Sequence, residues 1–507
     1  MTAREAIAGV HSPAGFAAAV AARVARGGRF CGVFASPAGD GTRLIAVVAD
    51  GGALCIDETV LAPEERHFAS LTPSIPAAAW YEREIHDLFG LEPVGHPRLD
   101  PLVFPGASDV APLRERPTVP AVPAVLAPPA SPVELDLSPL PGHVHGEGVF
   151  TISYGPVRSG VFETVEYLIE TSGEDIPHLR TRVFYKHRGI EARVSGMQVD
   201  DGVLAAERVE GVASVAHAIA YCSAVEQMGG VVAPRHADLV RVVHAELERV
   251  ANHLDTVVRH TEASGQAVAY ACFSHHKERV QRLRASLCGS RFGRGVVVPG
   301  GVSGPPRLGA RELLDALGSL HRAIGDDLHR LMGTPSFVDR LRGTGVLSCD
   351  TARRYAAVGP VGRASGQPED VRTSRPYAAY GRLGQPVPER HDAGDALARQ
   401  HVRLEEIAGA FHLVRQAVDL LDELGEPDRW SVAVPAVSGR ALGWAEAPQG
   451  ELLSLVEADG GALVRVKHRS ASFHNLAAYP AAFPQDIFTD VAFIEASFGL
   501  SIAGAAG

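Results

Sequence analysis

Four stretches of this chain crowd acids, bases and guanidinium groups into otherwise apolar surroundings. They are Tyr185-Lys186-His187-Arg188-Gly189-Ile190-Glu191; Glu207-Arg208-Val209-Glu210 followed by His217; Glu246, Glu248, Arg249, Asn252 and His253; and Arg363-Ala364-Ser365-Gly366 with Asp370-Val371-Arg372. Imidazole beside carboxylate is the pairing that general acid–base chemistry and proton relays use. The same residues also make structural ion pairs, because a buried charge is costly unless paired, or they line solvated helix faces.

Other chemistries lack their residues. Cys31, Cys55, Cys222, Cys272, Cys288 and Cys349 are scattered with no CxxC, so no thiolate metal clamp is spelled out, and they read as small buried hydrophobes. There is no GxxxxGK[ST], GxSxG or HExxH. The glycines of GRGVVVPGGVSGP do not follow a strand-to-helix turn, so no NAD site is expected. A net charge of -11 argues against a nucleic-acid partner. No run of eighteen apolar residues occurs and MTAREAIAGV lacks a signal-peptide pattern, so the expectation is a cytoplasmic chain that meets a membrane only through a partner.

The elements that must position these groups fall into blocks. Residues 1–27 read as an Ala-rich helical lead-in. Over 28–105, the β-prone runs FCGVFAS, RLIAVVAD and ALCIDETV precede the helical WYEREIHDLFGL, which predicts a small α+β domain. Residues 106–142 read as a tether: nine prolines lie among the thirty residues from Pro112 to Pro141, and proline removes donors and fixes φ. Over 143–507, GVFTISYGP and GVFETVEYLIET suggest a strand pair. A helix then opens at Pro234, with Val240, Val243, Leu247, Val250, Leu254 and Val257 spaced by three and four. So regular a stripe packs against other helices, and the predicted fold class is α+β: a small α+β domain followed by a mainly helical bundle carrying a small antiparallel sheet.

With these residues laid out, the chain resembles a known family. Trp80-Tyr81-Glu82-Arg83-Glu84, Asp87-Leu88-Phe89-Gly90 and Gly95-His96-Pro97 resemble the signature of the complex I C subunit. YKHRGIE (185–191), ERVEGVASVAHAIAYCSAVE (207–226), HAELERVANHL (244–254), GSRFGRGVVVPGGV (289–302), VGPVGRASG with DVR (358–372), GDALAR (394–399) and WAEAPQGEL (444–452) resemble the complex I D subunit. They are closer still to the large subunit of formate-hydrogenlyase-type nickel–iron hydrogenases, where the same C–D fusion is found.

The departures shape the functional expectation. The family's two metal-binding CxxC pairs fall here on Glu210 and Ala213, and on Ser501 and Gly504; the arginine of its EAPRG motif is Gln449. Other side chains do not easily replace thiolates at a soft-metal site, so an active nickel–iron hydrogenase is not expected. The quinone loop of complex I is GPVRSGVFE (155–163), without histidine, its tyrosine position is Gly211, and Glu163 fits the hydrogenase-like branch. Glu191 matches a glutamate that helps hold magnesium in the family, but the completing histidine is absent. The resemblance therefore implies a chain with no metal or cofactor of its own and no NAD or quinone site. It implies an iron–sulfur partner of the complex I B-subunit type, membrane-arm subunits, and a place on the cytoplasmic face of the membrane. His187, Arg188, Glu191, Arg208, Glu210 and His217 would line a cavity beside the partner's cluster and assist electron or proton transfer. The alternatives are a non-catalytic scaffold and an NADH–quinone oxidoreductase subunit with a divergent quinone site. One geometric expectation follows: Glu210 is largely buried, close to the C-terminal segment, and within hydrogen-bond reach of at least one basic side chain, with Arg208, His187 and Arg188 the nearest candidates.

Overall fold

The computed structural model describes residues 5–103, 111–114, 144, 146, 148–158, 163–386 and 389–507. Apart from 111–114, 144, 146 and 148–149, the tether and its flanks from 104 to 149 lie outside the described residues.

The N-terminal block is built on a four-stranded sheet. Arg29–Ala38, Gly41–Asp50 and Ala53–Leu61 run antiparallel, and Glu5–Val10 adds parallel to Ala53–Leu61 at the edge. The helical lead-in is thereby corrected. Only Pro13–Ala25 is helix, opened by Ser12 as N-cap and Pro13 in the first turn; EAIAGV before it is strand. Its alanines mimic a helix, but an open sheet edge supplies the backbone partners that decide the matter.

The signature helix Ala79–Phe89 docks this block onto the rest of the chain. Tyr81 packs edge-on against Phe473 and donates its hydroxyl to His474 Nδ1 at 2.6 Å. Glu84 pairs with Lys467 at 2.6 Å. Glu82 turns inward instead, bonding Ser70 and Thr72 hydroxyls and the Leu71 amide, and Asp87 accepts the Leu102 and Val103 amides at 2.7 and 2.9 Å. The motif is a folding and docking unit.

Beyond residue 143 the described residues form two three-stranded antiparallel sheets and one short antiparallel pair, Val297–Val298 with Gly301–Val302. The first joins Phe150–Tyr154, Glu166–Thr171 and His178–Arg182. The second, Gly439–Ala447, Gly450–Asp459 and Ala462–Arg469, is not foreseen by the sequence reading. Its middle strand is buried at almost every position, so it lacks the alternation that marks a strand with one wet face. Helix Arg235–Ala263, with Pro234 just before its first turn and not inside it, packs against Ser214–Gly229, Ala267–Cys288 and Ala396–Leu424. All six residues of its apolar stripe are buried. So is its polar side: Glu246, Glu248, Arg249, Asn252 and His253 are core residues, which removes the solvated-face reading for them.

Candidate functional site

The end of the chain forms one wall. Ser501 Oγ accepts the Gly504 amide at 3.2 Å and so caps the short helix Ile502–Ala506. Glu163, just before strand Glu166–Thr171, lays its carboxylate on the same helix start. It accepts the Ile502 amide, the Ala503 amide at 3.1 Å and the Ser501 hydroxyl at 3.2 Å. The unpaired amides of a helix start favour a negative group there.

Glu210 lies directly behind, 1% exposed, against this helix. A Cβ added to Gly504 would fall 2.2 Å from Glu210 Oε2, so the carboxyl occupies the volume a side chain at 504 would need. The expected burial and proximity hold, but among the described residues no basic side chain hydrogen-bonds Glu210, so the expected basic partner is corrected. Among the described residues Oε2 has no hydrogen-bond partner, and the His217 imidazole stands 3.8 Å away, Nδ1 to Oε1. That nitrogen donates to the Ala213 carbonyl at 2.9 Å. Burial pushes Glu210 up to about 8, with Glu163 and Glu248 adding repulsion and the Ser501 hydroxyl offsetting little. Burial also pulls His217 down to about 4. At neutral pH the pair is a protonated acid beside a neutral imidazole, not an ion pair. His468 follows, its ring 5.5 Å from His217 and lowered to about 3, again by burial. The free Nε2 atoms of both histidines are buried without partners.

The other sequence candidates divide. His187 donates through Nδ1 to the Ala506 carbonyl at 2.5 Å. The Arg188 amide donates to Gly507, while its guanidinium clasps the carbonyls of Arg208, Val209 and Ala503. These two residues tie the C-terminal helix to the turn that carries Glu210. Glu191 is held charged by Arg465 at 2.5 Å and Lys467 at 2.9 Å, which overcome the burial that opposes its charge. Two side-chain cations thus stand on Glu191, where no magnesium was expected because the completing histidine is absent. Arg208 leaves the group: its side chain is 54% exposed and its guanidinium turns back onto the Leu204 carbonyl at 2.5 Å. Its guanidinium stands 3.7 Å from the buried Glu207 carboxylate, and its long stem carries the charged head to water. Of the six residues expected to line a cavity, Glu191 alone borders the small space beside the C-terminal helix. Between Glu191, Val209, Lys467, His468 and Gly504 about 10 Å³ is free, room for about one water.

Farther along, Arg363, Asp370 and Arg372 meet the buried face of Arg235–Ala263. Arg363 binds Glu406 at 2.6 Å and Glu446 at 3.0 Å; Arg372 binds Asp370 at 2.7 Å and Glu246 at 3.3 Å; Arg249 binds Glu246 at 3.1 Å. His253 reaches Glu406 at 2.8 Å and Tyr380 donates to Glu246 at 2.5 Å. Here the structural ion-pair reading holds.

Sequence reasoning did not place His468, nor Glu163 as a helix cap. The alternation Arg465, Lys467, Arg469 against Val466 and His468 in strand Ala462–Arg469 is the signal by which His468 could have been found. Gln449, in place of the family's arginine, is buried with neither amide atom bonded to protein.

Comparison with known proteins agrees with this architecture. Residues 264–435 match the family model of the respiratory-chain NADH dehydrogenase 49 Kd subunit, and residues 46–121 that of the 30 Kd subunit. Formate hydrogenlyase subunit 5 of Escherichia coli K12 is 28% identical over 416 residues, covering 80% of this chain and 71% of that protein. The carbon monoxide-induced hydrogenase of Rhodospirillum rubrum is 31% identical over 313 residues, 61% of this chain and 86% of that protein. Hydrogenase-4 component G of Escherichia coli K12 is 27% identical over 437 residues, 85% of this chain and 74% of that protein.

Proposed function

Because the chain belongs to the family of complex I 49-kDa subunits and the hydrogenase subunits related to them, we propose that it works as a peripheral-arm subunit of a membrane-associated oxidoreductase complex. In this reading it docks an iron–sulfur subunit and membrane-arm subunits, and Glu210 exchanges a proton in step with electron transfer through the partner's cluster. The observation that carries it is Glu210 itself: a buried carboxyl, pushed up to about 8 by burial, standing on the Ser501–Gly504 turn where relatives' metal thiolates would converge. Among the described residues no helix is long and apolar enough to cross a membrane, which fits attachment through partners.

A nickel–iron centre does not fit these residues. The four thiolate positions offer one carboxyl, one hydroxyl, an alanine and a glycine, and the Glu210 side chain fills the space against Gly504. Soft metals held by thiolates would find neither ligands nor room. In this proposal Glu163, with Ser501, faces the acid from the solvent side, and His217 and His468 lead inward.

Scaffolding is the second reading. The closed pocket, with about 10 Å³ free, favours it. The test is the purified complex, assayed for electron transfer to quinone and to low-potential acceptors, and for nickel. Proton exchange at Glu210 predicts that Glu210→Gln and Glu210→Ala assemble normally but lose turnover. Full turnover and assembly in both variants, and in His187→Ala, would leave scaffolding; stoichiometric nickel would overturn the metal-free reading.

A further inference from the structure

A second group of chemistry-bearing residues lies apart from the Glu210 site, at the start of helix Ala396–Leu424. Glu389 and His391 belong to the segment entering this helix; Glu405 lies on its third turn. One ligand atom from each residue lies within 4.8 Å of the other two. Glu405 organises the group: Oε1 meets His391 Nε2 at 2.7 Å, and Oε2 accepts the Glu389 amide at 3.1 Å. The His391 carbonyl accepts the Gly366 amide at 2.9 Å, which fixes the segment from its other side.

Two further observations point to a ligand. His401 stands one helical turn before Glu405, and its ring stacks on His391 at 6.1 Å with planes 10° apart, so a second imidazole borders the group. A cavity of about 250 Å³ opens beside it, with Glu389 and His391 on its wall together with Arg363 and Arg390. Two carboxylates converging on one imidazole repel each other, and a cation held between them would offset that repulsion, as a protonated His391 beside Glu405 does in part. The distances suit one. Donors bound at about 2.1 Å to a tetrahedral ion lie about 3.4 Å apart. Reaching that from the present spacing takes side-chain movements of under about 1 Å, easy for Glu389, which is exposed.

We propose that Glu389, His391 and Glu405 bind a divalent transition-metal ion of the zinc class through one imidazole nitrogen and two carboxylate oxygens. Imidazole with carboxylate suits such ions, and three protein ligands leave a position for water. The site pins the segment before helix Ala396–Leu424, whose Gly394 carbonyl in turn receives Arg399 at 2.6 Å. It stands independently of any role for Glu210. It also departs from the expectation of a chain without metals. That expectation rested on the ligands missing at the positions the resemblance aligns, whereas these ligands converge only once the segment folds onto the helix.

The experiment is calorimetric titration of the untagged, chelator-treated full chain with zinc chloride, repeated on His391→Gln, Glu405→Gln and Glu389→Gln. The expected result is one tight equivalent in the parent, weakened at least tenfold in His391→Gln and Glu405→Gln, with unchanged circular dichroism. Glu389→Gln, at an exposed position, keeps the test decisive if another variant misfolds. No stoichiometric equivalent in the parent, or equal affinity in all folded variants, overturns the site.

Discussion

Glu210 and Gly504 are locked in a steric relationship: the carboxyl occupies the place of a side chain at 504, and an added Cβ would lie 2.2 Å from Oε2. The two positions must therefore vary together.

Gly504→Ala is expected to destabilise the chain by about 1–3 kcal/mol through overpacking, and Glu210→Ala to relieve most of that cost in the double variant. Urea unfolding of the two single variants and the double variant closes a cycle. Additive effects would show that the contact is not the constraint described here.

The raised Glu210 gives stability a pH signature. Its folded value, about 8, lies above the ordinary 4.5, so the folded state holds the proton more tightly than the unfolded chain. This contribution is fully present below about pH 4.5, falls as pH rises, and is lost once pH passes about 8. Glu210→Gln keeps the shape and removes the titration. The difference in stability between the variant and the parent should therefore grow in the variant's favour from pH 5.5 to pH 8.5. A difference independent of pH would mean that Glu210 is already ionised at the lower pH.

The buried network around Glu406 should resist substitution strongly. Arg363 holds Glu406 and Glu446 together, and His253 and Arg249 share Glu406. Glu406→Ala leaves guanidinium groups buried without their carboxylate, at about 3–5 kcal/mol. Arg363→Lys offers one compact ammonium where a fork spans two carboxylates, and it too should lower the thermal midpoint. A midpoint shift within error for either variant would show that water, not the pair, satisfies these groups.

At the joint between the blocks, the hydrogen bonds fix a tautomer. His474 Nε2 donates to the Ala356 carbonyl at 2.8 Å, so Nδ1 must accept from the Tyr81 hydroxyl. Burial first, then Arg469, holds His474 at about 3, so it stays neutral. Tyr81→Phe strands that buried acceptor, at about 1–3 kcal/mol. In histidine NMR, His474 should keep the Nε2–H tautomer while its Nδ1 shift moves. An unchanged shift would deny the hydrogen bond.

Much of this was written in local sequence. The stripe from Val240 to Val257 declared a packed helix because period and polarity are local properties, and the ordered motifs declared the family. Set against the family that these motifs resemble, the absence of cysteine at 210, 213, 501 and 504 was visible for the same reason. Other features depended on neighbours distant in the chain. EAIAGV became strand because Ala53–Leu61 offered an edge, and Gly450–Asp459 hid as a strand because both its faces are buried. Arg208 and Glu210, two residues apart, were equal candidates as letters. The fold sent one to water and sealed the other behind the C-terminal helix. Sequence fixes which groups can titrate; burial and the charges folded around them decide which proton is held, because solvation and Coulomb energy depend on three-dimensional distance.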